Sequence, residues 1–387
     1  MSRAILTLNT GSSSLKFGLY RNGPEPEMLL TGQVDGLGPE ARLLIEKTTE
    51  TINAPTHTAA LAQVIHALRP HMSGLTISGV GHRIVHGGPK FAEPMVLTSD
   101  MLTALAEFSP LAPLHQPHNL AGVEAARAAF PDAVQVGCFD TAFHRGHPWV
   151  NDTFALPRNF YDEGVRRYGF HGLSYDYITG VIAVEDPELH KKKMIIAHLG
   201  NGASMCAVRA GKSVGSSMGF SALDGLPMGT RCGQIDPGAV LYLIEQRGME
   251  PGDVLAMLYK ESGLLGLSGL TSDMRTLLGS DAPGAGEAID YYVFRARREI
   301  GALTAVLGGI DALVFCGGIG ENAAVIRARI SEGLEYLGIS VDAEANLRND
   351  REIGAGPTRV MVIPTDEERI IARAVNVALS ERVVRAG

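Results

Sequence analysis

Two stretches and a scattered group of polar clusters combine residue types that could carry chemistry, and the first two suit a phosphate or a nucleotide. The first, NTGSSSLKF at 9–17, sets an amide, a glycine, three serines and a lysine side by side. Beyond Gly11, in an extended chain, Ser12, Ser14 and Lys16 share one face, and Leu15, Phe17 and Leu19 share the other. The apolar face packs inward. The polar face offers hydroxyls, a cation and backbone N–H groups, which is the chemistry of a phosphate cradle. It is not a Walker loop, because Gly211-Lys212-Ser213 would require glycine where Cys206 stands.

The second stretch, ALVFCGGIGENAAVIRARI at 312–330, reads as a buried strand, a glycine turn and a helix. Gly318-x-Gly320-x-x-Ala323, with Asp342 further on, nearly matches a dinucleotide fingerprint. The chain beyond Ala323 is long enough for only half of such a domain. A nucleotide resting on a glycine turn beside a helix N-terminus satisfies the same pattern, and the adenosine of ATP serves as well as NAD.

The third group lies mid-chain: GHRIVHGG (81–88), LAPLHQP (111–117), CFDTAFH (138–144), RYGFHGLSY (167–175) and GTRCGQIDPG (229–238). Each sets Arg, His or Asp beside Gly, Pro or the end of an apolar run. The pairs His115/His118 and His144/His147 have zinc-like spacing, but no third ligand of fitting character accompanies them.

These side chains need a scaffold, and the pattern is α/β throughout. Strands are expected at 5–8, 15–20, 77–80, 134–139, 194–198, 312–316 and 359–363. Helices are expected at 59–68, 120–129, 238–247, 287–307, 322–336 and 367–382. Residues 5–23 and 194–212 both read as strand, polar turn, alternating strand and a second turn. Two halves opening alike predict two similar domains facing a shared cleft. The apolar run 300–320 is interrupted by Gly308-Gly309 and Asp311, so it reads as a helix end, a turn and a strand rather than a membrane span.

Composition narrows the classes. The 387 residues favour two or three domains. Glycine, at 46 residues, is well above its average share of about 7%. The formal net charge of −8 argues against a nucleic-acid or anionic-membrane surface. The four cysteines form no CxxC pair, and the N-terminal apolar run is too short for a secretory signal. A cytoplasmic protein is the expectation.

Taken in order, NTGSSSLKF, GHRIVHGG, FDTAFH, RYGFHGLSY, HLGNGAS, GTRCGQIDPG, GGIGEN and PTDEE resemble the acetate kinase family. The resemblance runs from Ile5 to about Ala372. It implies two duplicated actin-like ATPase (ribonuclease H-like) domains around a nucleotide cleft. The first domain would be 1–150 plus a terminal helix at about 368–387, and the second, nucleotide-binding one 151–367. It also implies Mg²⁺ (Mn²⁺ as the alternative), ATP and ADP as co-substrates, acetate as acceptor, and a homodimer.

The resemblance carries roles over to matching positions. Asn9 and Glu367 would help hold the metal, and Ser12, Ser14 and Lys16 would reach the phosphates. His198, Leu199, Gly200, Asn201, Gly202, Asp273, Met274, Arg275, Gly318, Ile319, Gly320, Glu321 and Asn322 would line the nucleotide site. Arg83 would bind the acetate carboxylate, with Val85, Leu114 and Phe170 around its methyl group. Asp140 would be the acid/base residue, and His171 and Arg231 the transition-state stabilisers. A carboxylic acid near Glu in pKa, at about 4.3, is already ionised at neutral pH, so a general base is hardly needed. Asp140 is therefore expected to orient Arg83 or a metal-bound water. One departure is Ala222, where the family usually has proline near the methyl pocket. That opens propionate or butyrate as alternative acceptors. An NAD-dependent enzyme and a non-catalytic ATP-binding module are the remaining alternatives.

Overall fold

A computed structural model describes residues 2–11, 14–113 and 115–386. Ser12 and Leu114 lie outside the described residues. The chain divides into two units, Met1–Ala142 with Asp366–Gly387, and Phe143–Thr365. The first division falls before residue 150 for a packing reason. Phe143 joins the second unit's apolar core, and His144 bonds to Ser213 and to the Phe170 carbonyl.

In the first unit, β1 (Ser2–Thr10), β2 (Ser14–Arg21), β3 (Glu27–Asp35), β4 (Gly38–Ile45) and β5 (Thr48–Ala54) form an antiparallel meander. β6 (Leu75–Ile84) adds in parallel to β1, and β8 (Val134–Phe139) in parallel to β6. The short β7 (Met95–Val96) closes the edge, giving the order β5-β4-β3-β2-β1-β6-β8-β7. In the second unit, β9 (Lys193–Leu199), β10 (Ala203–Arg209) and β11 (Lys212–Ser216) are antiparallel neighbours. β12 (Ala312–Cys316) lies parallel to β9 and β13 (Arg359–Val362) parallel to β12, in the order β11-β10-β9-β12-β13. The inner order of the first sheet, β3-β2-β1-β6-β8, has the same directions. Both expected hairpins are therefore the first two strands of one repeated plan.

Alternation along the strands sorts the faces. Leu6, Leu8, Leu15, Phe17, Leu19 and Val80 share one core with Ala60, Leu61 and Val64 of the helix His57–Leu68. Gly79, Gly81 and Arg83 point to the opposite face, which carries the helix Glu367–Ala386. The glycines permit close approach. A Cβ on Gly81 would stand 2.3 Å from Ile371 Cγ2, and one on Gly79 2.4 Å from Val375 Cγ1. That contact places Glu367, the first residue of the helix, over the end of β6.

The second unit differs from the sequence pattern in one element. Instead of one helix over 322–336, Gly317–Asn322 is itself a short helix, followed by Ala324–Ser331 and a 3₁₀ turn Glu335–Leu337. Periodicity did not show the break at Ala323, nor that three glycines could be helical. A side chain on Gly317 (φ +75°) would meet the Leu199 carbonyl at 2.8 Å, so the turn out of β12 is tight against β9. The 300–320 run is the end of Pro283–Leu307, a left-handed Gly308 and β12. Among the described residues, no helix is long and apolar enough to cross a membrane.

Candidate active site

In the first unit, four predicted residues converge. Arg83, near the end of β6, grips Asp140, just beyond β8. Nε donates to Oδ1 at 2.9 Å and Oδ2 at 3.1 Å, and Nη2 donates to Oδ2 at 2.6 Å. Arg83 Nη1 faces Asn9 Oδ1 and Glu367 Oε2, each at 3.4 Å. The Asp140 side chain is 2% exposed. Burial alone would weaken the Arg83 cation, but Asp140 and Glu367 outweigh it and raise its pKa. Burial likewise pushes the Asp140 carboxyl up, against the pull of Arg83. Arg83 is thus a fixed cation, clamped on one edge.

Lys16 is exposed and pairs in register with Asn9 across β1 and β2. Its charge lowers Glu368, which burial and Glu367 raise overall. Ser14 opens β2, and its Oγ would be 2.8 Å from a Cβ on Gly11. Val85 is buried, and its N–H donates to Asn119 Oδ1 at 2.9 Å. Asn119 Nδ2 reaches the Thr10 carbonyl at 2.6 Å, while Gln116 Nε2 donates to the His86 carbonyl at 3.0 Å. These two buried amides tie the end of β1 and the loop after β6 to the helix Gln116–Ala129. Sequence reading missed them. Their signal was polar residues on a helix that had to face the sheet.

In the second unit, a distinct group forms around the turn between β9 and β10. His171 precedes the helix Gly172–Glu185 in the left-handed conformation, φ 56°. Its ring stacks on His198, centroids 4.4 Å apart. A Cβ on Gly202 would stand 3.1 Å from His171 Nε2 and 4.0 Å from Arg231 Nη1, so all three share one space. Arg231 Nη1 donates to the Ala222 carbonyl at 3.2 Å. Gly229 N–H donates to the Asn201 carbonyl at 3.0 Å, and a Cβ on Gly200 would lie 3.8 Å from Gly318 N. The loop at Gly229 and the start of the short helix Gly317–Asn322 therefore both meet the β9–β10 turn.

Several predicted nucleotide-lining residues have occupied side chains. Glu321 Oε1 accepts from Gly317 N at 2.8 Å and Thr365 N at 3.1 Å, bracing the glycine run. Leu199 and Met274 are buried, so only their backbones can face a ligand. Asp273 caps the helix Met274–Leu278, and its hydrogen bonds to Thr276 lower its pKa. Arg275, Gly318 and Asn322 are exposed; His198, Gly200, Gly202 and Ile319 are half-buried, and Gly320 is buried. Phe170 is buried, its carbonyl bonded to His144 Nε2.

The alternative chemistries fare differently. Asp342, the ribose residue of a dinucleotide reading, caps the helix Ala343–Arg348 by accepting from Ala345 N at 2.8 Å. His144 and His147 both bond to Ser213 Oγ. Among the described residues, no three His, Cys, Asp or Glu side chains cluster to hold a metal by themselves.

Two units sharing one five-strand plan, one with a clamped arginine and one with a glycine-lined turn, define a duplicated actin-like ATPase. The chain matches the acetokinase family model over residues 4–373 and belongs to that family. It is 51% identical to the acetate kinase of Methylocella silvestris, covering 96% of this chain and 97% of that one. Porphyromonas gingivalis acetate kinase superimposes with a TM-score of 0.87 at 37% identity, covering 98% of this chain and all of that one. A propionate kinase from Francisella tularensis gives a TM-score of 0.90 at 35% identity, over 97% and 99% of the two chains.

Proposed function

We infer that the chain is an acetate kinase, transferring the γ-phosphoryl group of ATP to acetate and, in reverse, from acetyl phosphate to ADP. The observation that carries the acceptor half is Arg83. Asp140 holds its Nε–Nη2 edge, and a guanidinium fixed this way suits an incoming carboxylate. An acetate oxygen attacks the γ-phosphorus in line, the bond to the β–γ bridging oxygen breaks, and ADP leaves with the electron pair. No proton moves, because acetate is already ionised. Asp140 is then an orienting group for Arg83 rather than a base.

Negative charge spreads over the equatorial oxygens of the transferring group, which calls for cations and donors. His171 and Arg231 take that role, and Lys16, Ser12 and Ser14 bind phosphate. The backbones of 198–202 and 318–322, with the segment around Asp273, receive the nucleotide. Val85, Leu114 and Phe170 are the residues assigned to the acetate methyl group.

Asn9 Oδ1 and Glu367 Oε2 both lie within 3.4 Å of one nitrogen, Arg83 Nη1. Two converging hard oxygens fit Mg²⁺, which usually takes one or two protein ligands and completes its shell with phosphates and water. Mg²⁺ held by Asn9 and Glu367 would neutralise phosphate charge, and Mn²⁺ suits the same donors. A cytoplasmic location is consistent with this chemistry.

A homodimer is supported by the helix Pro237–Glu245. Its sequence PGAVLYLIE is mostly apolar, yet none of its residues is buried, and Leu241 and Tyr242 are 54% and 53% exposed. Sedimentation equilibrium should give the mass of two chains; a monomer at micromolar concentration would remove this part of the reading.

The test of function is hydroxylamine trapping of acyl phosphate with acetate, propionate and butyrate. Acetate should be the best acceptor. Ala222 leaves more room than proline would, so propionate should come within about a hundredfold of it in kcat/KM, one methylene being worth ~1–3 kcal/mol. Ala222→Pro should widen the gap and Val85→Ala should narrow it. No acyl phosphate from any of the acids would overturn the function. A ratio unmoved by both substitutions would displace the methyl pocket.

A further inference from the structure

We propose that Tyr175, acting through Ser204, is a positioning residue that holds the His171 imidazole as its Nε2–H tautomer. The proposal deepens the reading of His171 as a stabiliser of the transferring phosphoryl group, and rests on it.

The geometry is a three-member chain. His171 Nδ1 lies 2.8 Å from Ser204 Oγ, and Ser204 Oγ is in hydrogen-bond contact with the Tyr175 hydroxyl. All three side chains are buried. Tyr175 sits one turn into the helix that His171 precedes, its N–H donating to the His171 carbonyl. Ser204 comes from β10, opposite His198 in register.

Counting donors settles the direction. A tyrosine hydroxyl has one proton to give. Among the described residues, the hydrogen-bond partner of the Tyr175 hydroxyl is Ser204. The His144 ring lies edge-on to the Tyr175 ring at 5.6 Å. If Ser204 donated to Tyr175, the tyrosine proton would be buried without an acceptor. Tyr175 therefore donates to Ser204; were His171 Nδ1 to donate to it as well, the buried Ser204 proton would in turn lack an acceptor, so Ser204 donates to His171 Nδ1. A neutral imidazole accepting at Nδ1 carries its proton on Nε2. Burial raises the Tyr175 pKa well above its ordinary value, so this donor persists across the working pH range.

Nε2 faces the space at Gly202 that Arg231 Nη1 also borders. With the proton on Nε2, that space receives a hydrogen-bond donor beside a cation, as an oxyanion requires. With the proton on Nδ1 it would receive a lone pair, which repels the same oxyanion.

The test is long-range ¹H–¹⁵N correlation on the full-length protein labelled at histidine nitrogen, at pH 8. The His171 signals are assigned by their loss in His171→Gln. Wild type should show Nε2 protonated and Nδ1 accepting. Tyr175→Phe frees the Ser204 hydroxyl to turn. It should admit the Nδ1–H tautomer and lower kcat at least tenfold, with KM for both substrates within twofold. A wild-type His171 carrying its proton on Nδ1 would overturn the proposal. So would a folded Tyr175→Phe with wild-type tautomer and kcat. If that variant does not fold, the wild-type spectrum decides alone. A wild type that formed no acyl phosphate would overturn the functional reading, while the tautomer would still support or overturn the relay.

Discussion

Arg83→Ala should lower kcat/KM for acetate by about 10³-fold or more, the scale of losing a positioned arginine in phosphoryl transfer. Nucleotide affinity should stay within a few-fold, because Arg83 bonds to Asp140, Asn9 and Glu367 rather than to the phosphate-binding Ser14 and Lys16. Arg83→Lys should rescue little, since an ammonium cannot make the paired contacts of the guanidinium with Asp140. Stability will fall as well, because Asp140 loses its partner in a buried site. Removing one member of a buried ion pair costs about 3–5 kcal/mol.

The loss has a pH signature. Burial already raises the Asp140 carboxyl, and without Arg83 nothing opposes it. A folded state that holds the proton more tightly than the unfolded chain gains stability as pH falls through the raised pKa and loses it as pH rises. The variant's Tm should therefore approach that of wild type as the solution is acidified. Adding Asp140→Asn should recover Tm at neutral pH without recovering turnover. Acetate turnover retained in Arg83→Ala, or nucleotide affinity lost in proportion to it, would refute the assignment of Arg83 to the acceptor.

Arg327→Met should cost more than ~3 kcal/mol, because it strips partners from several buried acceptors at once. Arg327 is fully buried. Its Nη1 donates to the Gly320 and Glu321 carbonyls, both at 2.9 Å. Nε donates to Asn346 Oδ1 at 2.8 Å, and Nη2 to the Asn346 carbonyl at 2.7 Å and Asn349 Oδ1 at 2.6 Å. None of these acceptors carries a charge, and burial draws the Arg327 pKa down to about 10, which leaves it cationic at neutral pH. The cation sits on the last carbonyls of Gly317–Asn322, where positive charge is favoured. Methionine fills similar space and satisfies none of these groups. For a unit of this size, each kcal/mol is worth about 2–4 °C, so Tm should drop by roughly 6 °C or more. The glycine run should loosen too, raising KM for nucleotide more than KM for acetate. A Tm within ~2 °C of wild type would show that water replaces the guanidinium without loss.

Much of this molecule was legible residue by residue. Alternation after Gly11 separated Leu15, Phe17 and Leu19 from Lys16, and they lie in the core while Lys16 is exposed. The bounds of β12 follow from an unbroken apolar run, and those of β8 from an apolar run interrupted only by Gln135 and Gly137. The resemblance of residues 5–23 to 194–212 foretold a repeated plan. Such readings succeed because side-chain direction in a strand and hydrophobic burial are local rules.

Other features needed the folded chain. The local pattern does not show that Glu367 meets Arg83, because that contact depends on two strand glycines admitting a helix from the far end of the sequence. It does not show that 317–322 is helical, since glycine's helix propensity is poor and the buried Arg327 that caps those carbonyls comes from the next helix. Nor does it reveal the relay from Tyr175 through Ser204 to His171, which joins a helix to a strand and depends on burial to leave one partner for each proton. Sequence by itself determined which residues face inward and which chemistry is on hand. Tertiary packing alone decided which of those groups meet, because a hydrogen bond across distant segments forms only after the cores beneath them have closed.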